Sequence, residues 1–119
     1  MSHKVYRNKK FLEFTRSRPP IVGWCDENLR HAHHVKMLNG GGTGTKPSDT
    51  HVVCTTWVNH DAIHRYGEKD VFLNAGLEKE DITAAVLNNI INYLDKTHNI
   101  DGTKLAIDLL TEYMVIEKL

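Results

Sequence analysis

Four of the five residues at 40–44 are glycine. Glycine loses more backbone freedom on ordering than any other residue and offers no side chain to pack, so no helix or strand runs through such a stretch. The chain must turn here, and the elements on either side are separate pieces joined by a loop. Histidines crowd both flanks: of eight in the chain, six fall between His31 and His64. His33 and His34 stand side by side before the loop, and His60 and His64 follow it at a spacing of four.

The segments around the loop read as short elements. Asn8 is placed to cap a helix whose apolar face is Phe11, Leu12 and Phe14, and Pro19 and Pro20 prevent its continuation. Residues 29–38 read as a strand and residues 50–54 as a second. Thr55 or Thr56 then caps a helix through Trp57, Ile63 and His64, which Gly67 ends. From 78 to 98, Ile82, Ala85, Val86, Ile90, Tyr93 and Leu94 recur at helical spacing. A break at 99–102 is followed by a second amphipathic segment carrying Leu105, Leu109, Leu110, Tyr113 and Met114. This pair reads as an α-helical hairpin whose apolar stripes cover the core or form an oligomer face. The fold class expected is α+β: a core over 1–77 that begins with a helix, and a helical hairpin over 78–119, together one compact domain.

With 119 residues the chain has length for one such domain and rarely two. Lysine plus arginine equal aspartate plus glutamate at 15 each, so a polyanion must be met by a local patch rather than by net charge. Lys4, Arg7, Lys9, Lys10, Arg16 and Arg18 make the N-terminal segment basic, and with Arg30, Lys36, Lys46 and Arg65 they are candidates for a phosphate-facing surface. No apolar run is long enough to span a bilayer, and the basic N-terminus lacks the apolar stretch of a signal peptide. Two cysteines are too few for a disulfide framework. The expectation is a reduced, cytoplasmic protein without a membrane partner.

His60 and His64, at i and i+4 on a helix, project to one side and can share a single ion. A third imidazole from the preceding strand leaves coordination positions open for water or a phosphate oxygen. His33 and His34 are neighbours on a strand and point to opposite faces, so they are not equivalent ligands.

Strand, glycine loop, strand and helix, with histidines on the first strand and on the helix, resemble the ββα-metal or HNH endonuclease superfamily. Within it the chain is similar to phage and prophage nucleases, among them RecA-dependent and recombination-associated HNH nucleases. The resemblance covers roughly residues 7–72 and rests on RNKKFLEFTRSRP, HAHHV, GGGTGTKPSD, Cys54, NHDAIHRYGE and the VF pair. It implies a small ββα-metal core. It implies His33, His60 and His64 as ligands of one divalent ion (Mg, Mn, Zn or Ni), and His34 as the general base that activates water. Asp49 falls where the motif has the residue that positions the base. Lys46 and the glycine loop fall where the family backbone approaches nucleic acid, and Lys36 and Arg65 are the further candidates for DNA contact. Hydrolysis or nicking of DNA in a phage-infected or prophage-bearing bacterial cell is the activity implied. DNA is the partner, with a phage or host recombination or replication protein and a homodimer as further candidates.

Relatives often carry additional cysteines for a structural zinc, whereas this chain has only Cys25 and Cys54. We therefore expect no structural zinc, with Cys54 a small buried side chain. His31 is read as an exposed strand residue, and His3, His51 and His98 as structural or surface residues. The alternative function is a catalytically weak or inactive HNH-fold module that binds nucleic acid or another protein.

Overall fold

A computed structural model describes residues 7–37 and 49–96. The described residues form an α+β fold of four α-helices around a two-stranded antiparallel sheet. The order is α1 (Lys9–Ser17), β1 (Arg30–His34), β2 (Val52–Thr56), α2 (Trp57–Tyr66), α3 (Glu68–Asn74) and α4 (Lys79–Lys96), with a short 3-10 turn at Glu27–Leu29 before β1. The glycine run at 40–44, Lys46, His3, His98 and the second apolar segment of the expected hairpin lie outside the described residues. No helix among the described residues is long and apolar enough to cross a membrane.

Asn8 caps α1 by accepting the Phe11 backbone N–H at 3.1 Å. One face of that helix buries Phe11 and Thr15 completely. At its other end the buried Arg30 donates to the carbonyls of Ser17 and Arg18 at 3.3 and 3.1 Å, and to that of Cys25 at 3.0 Å. A cation is well placed there, because the last carbonyls of a helix have no partner of their own. Arg30 therefore closes the C-terminal end of α1 and stacks over Trp24, which removes it from the expected phosphate-facing surface.

The sheet pairs Arg30 with Thr56, His31 with Thr55, Ala32 with Cys54, His33 with Val53 and His34 with Val52. Both strands are shorter or shifted relative to expectation, for local reasons. β1 stops at His34 rather than 38, because the next free N–H groups, those of Lys36 and Met37, turn to the carboxylate of Glu68. β2 begins at Val52 rather than 50. Thr50 and His51 are buried and hydrogen-bond each other side chain to side chain at 2.8 Å, so His51 is an interior residue. Thr55 and Thr56 extend β2, and Thr56 caps α2 by accepting the Asn59 N–H at 3.1 Å.

All five residues of β2 are buried. Phe11 of α1 and Ile82, Val86, Ile90 and Tyr93 of α4 form one core with Val35, Val52, Val53, Ile63 and Phe72. The Tyr93 ring meets Phe11 edge-on, with centroids 5.1 Å apart. Asn89 is a polar residue within the apolar stripe of α4; its amide donates to Thr15 Oγ1 at 2.8 Å and to the Val52 carbonyl at 3.4 Å, tying α1, α4 and β2 together. Cys54 is a free, buried thiol that burial pushes up to about 11.

Gly67 ends α2 and begins α3. Its φ of 96° and ψ of 145° belong to a region that L-residues rarely enter. The helix that it starts, at Glu68–Asn74, was not expected from the sequence; it buries Phe72 in the core.

Candidate functional site

β1 delivers its histidines in two directions, as neighbouring positions on a strand must. His33 meets Glu68, the His60 ring and the edge of Phe72. His34 meets Asp49.

On the His33 side, four imidazoles stand in succession. The His60 ring lies 4.7 Å from that of His64, as expected for i and i+4 on α2, and 5.4 Å from that of His33. His31 adds a fourth ring 4.9 Å from His60, with the two Nδ1 atoms 2.7 Å apart. One of those nitrogens must carry the proton and the other accept it, so the two rings hold complementary tautomers. His31 is exposed, but it is a member of the cluster rather than an isolated strand residue. Strand periodicity could have placed it there, because His31 and His33 are two apart and share a face.

Burial pushes His60 down to about 4, helped by the nearby imidazoles His33, His31, His64 and His34, whose charged forms it could not tolerate beside its own. The ring is neutral near pH 7 and keeps a lone pair. This donor chemistry, several imidazoles on strand and helix, suits a divalent ion of the zinc, nickel or cobalt type. As the side chains stand, no three His, Cys, Asp or Glu groups among the described residues are arranged as the ligands of one ion. His31 engages His60 Nδ1, so a cation would take His60 Nε2 or displace His31 from Nδ1.

Glu68 is a member of the site that sequence reasoning did not find. It lies one residue past Gly67 and accepts from His33 Nε2 at 2.6 Å. Its oxygens also accept the backbone N–H groups of Lys36 (2.9 Å) and Met37 (2.6 Å). Burial pushes this carboxyl up, but the hydrogen bonds from His33, Lys36 and Met37 outweigh burial and hold it below the usual range. The one signal available was spacing, since His60, His64 and Glu68 follow at intervals of four.

On the other side of β1, the structure joins His34 and Asp49, 15 residues apart. His34 Nε2 lies 2.7 Å from Asp49 Oδ1. A carboxylate accepts, so Nε2 carries a proton, and in the neutral ring the lone pair is on Nδ1. Asp49 is itself held by the Asn8 backbone N–H at 2.7 Å, at the N-terminal end of α1, and by Arg7 Nη1 at 3.2 Å.

Of the residues expected to meet DNA, Lys36 and Arg65 are among the described residues and Lys46 is not. Lys36 is exposed beside the site. Arg65 pairs with Asp61 one helical turn away at 3.0 Å, both largely exposed. Comparisons with family models, curated proteins and solved structures match nothing.

Proposed function

We propose that the protein is a metal-dependent endonuclease or nickase of the HNH type, hydrolysing DNA phosphodiester bonds. The hydrogen bond between His34 and Asp49 carries this reading. A histidine anchored through Nε2–H by a buried carboxylate has its other ring nitrogen fixed in direction, as a general base requires. The order β1, β2, α2, with imidazoles on strand and helix, supports the same reading; because His33 and His34 leave β1 in opposite directions, a phosphate has to reach both sides of that strand for ion and base to act on it.

In this reading His33, His60 and His64 hold one divalent ion. When bound, that ion neutralises charge on the phosphate and on the leaving oxygen. His34 Nδ1 takes a proton from water, and the resulting hydroxide attacks phosphorus. The phosphorus–oxygen bond to the leaving group breaks with its electron pair on that oxygen, which takes a proton from solvent. Asp49 stays ionised and keeps the ring from turning. Lys36, Lys46 and Arg65 remain the candidates for contact with the DNA backbone.

Supercoiled plasmid incubated with Mg, Mn, Ni or Zn, with and without chelator, tests the proposal. Nicked or linear product that requires both the ion and His34 is expected. A protein that neither cuts nor binds an ion with any of these metals would refute it. The second reading, an HNH-shaped binding module without catalysis, is favoured by one observation: His31 already engages Nδ1 of the central ligand candidate His60. Retention of plasmid without cleavage would support that alternative.

A further inference from the structure

We infer that Glu68 is a positioning residue that holds His33 in its Nε2–H tautomer and so makes Nδ1 the single nitrogen through which His33 can meet a cation. The inference rests on the proposed metal reading only for the use made of that nitrogen.

Glu68 Oε1 accepts from the backbone N–H groups of Lys36 at 3.1 Å and Met37 at 2.6 Å. Oε2 accepts from Lys36 at 2.9 Å and lies 2.6 Å from His33 Nε2. Both oxygens are occupied by N–H donors, and the side chain is 10% exposed. A carboxylate surrounded in this way is an acceptor with no face turned to an ion. Two of its donors are backbone groups that cannot reverse their role, so the carboxylate cannot rotate to offer His33 anything but a lone pair. His33 must therefore donate from Nε2.

The ring is then committed. Its side chain is 6% exposed, and Phe72 packs at its edge with centroids 6.2 Å apart, so it cannot swing freely. Among the described residues Nδ1 has no hydrogen-bond partner. A carboxylate on one ring nitrogen is a known way to orient a ligating histidine and raise its basicity. Gly67 makes the contact possible. Its left-handed turn breaks the helix after α2 and lets the residue after it reach back to the end of β1.

Glu68→Gln separates positioning from shape. The glutamine carbonyl oxygen satisfies the two backbone N–H groups, which leaves the amide NH2 facing His33 Nε2. A donor there forces the ring to accept at Nε2 and to carry its proton on Nδ1, capping the nitrogen a cation needs. Long-range 1H–15N spectra of the histidine rings, recorded at pH 8 with chelator, report the tautomer directly. His33 is expected as Nε2–H in the parent and Nδ1–H in Glu68→Gln. Calorimetric titration with Zn(II) alone should show affinity lower in the variant by about ten- to a hundred-fold, with an unchanged far-UV CD spectrum.

A parent His33 protonated on Nδ1 would overturn the inference without any variant, so it is decided even if Glu68→Gln does not fold. An unchanged tautomer and unchanged Zn(II) affinity in a folded variant would overturn it as well. A parent that shows the Nε2–H tautomer but binds no Zn(II) would instead overturn the metal reading and the use assigned to Nδ1.

Discussion

Asp49 shows how a single carboxylate can organise a site across distant parts of the chain. It takes hydrogen bonds from Asn8, Arg7 and His34, so it joins the start of α1 to the end of β1. Removing His34 and removing Asp49 should therefore have different consequences. If the protein is the nuclease proposed above, His34→Ala lowers the cleavage rate by about a hundred- to ten-thousand-fold, the usual loss of a general base, with Zn(II) affinity kept. Asp49→Ala is expected to keep the ion and lose part of the rate, since His34 remains but turns. Plasmid cleavage beside calorimetric titration on the same preparations distinguishes them, and His60→Ala, which removes a ligand candidate, should lose both. A His34→Ala variant that cuts like the parent would remove it from the role of base.

Burial among the other imidazoles holds the folded pKa of His60 at about 4, below the ordinary histidine value of 6.5. Between those values the unfolded chain binds more protons than the folded one, so stability falls as pH is lowered through that window. In chelated protein, the melting temperature should drop progressively from pH 6.5 to pH 4, and His60→Gln should flatten the slope. Differential scanning calorimetry across that range is the measurement. An unchanged slope in the variant would assign the acid sensitivity to other groups.

At the scale of elements, the junction between α2 and α3 decides more than its one residue suggests. Gly67 N–H closes α2 on the Ile63 carbonyl at 2.9 Å, while its own carbonyl accepts from Val71 at 3.2 Å to open α3. A methyl group at Gly67 would meet nothing within 4 Å, so substitution brings backbone strain rather than collision. Gly67→Ala is expected to cost about 1–3 kcal/mol, read from urea unfolding. A loss near zero would mean that the junction re-forms with negative φ. The expected strands ran past the observed end of β1 and began before β2 because apolar patterning reports where side chains can be buried, not which acceptor takes a backbone N–H. Glu68 takes those of Lys36 and Met37, and no local rule in the stretch at 29–38 announces a carboxylate more than 30 residues on.

Across the fold, α1 and α4 pack on each other and on the sheet through Phe11, Tyr93 and the amide of Asn89. Phe11 is fully buried among residues of several elements. Phe11→Ala should destabilise the fold by about 3–5 kcal/mol, measured by chemical denaturation with CD. A change below 1 kcal/mol would show that α1 is peripheral. Short-range chemistry is legible in the chain itself: the cap at Asn8, a cap at Thr55 or Thr56 (the structure uses Thr56), the stop at Gly67, the stripe of α4 and the facing of His60 and His64 along one helix. Each depends on residues within a few turns of one another. The contacts of Asp49 with His34, His31 with His60, Arg30 with the end of α1 and Glu68 with His33 become visible once the elements are packed. Those pairings depend on the packing of separate elements, because a hydrogen bond is set by distances of about 3 Å that no spacing along the chain specifies.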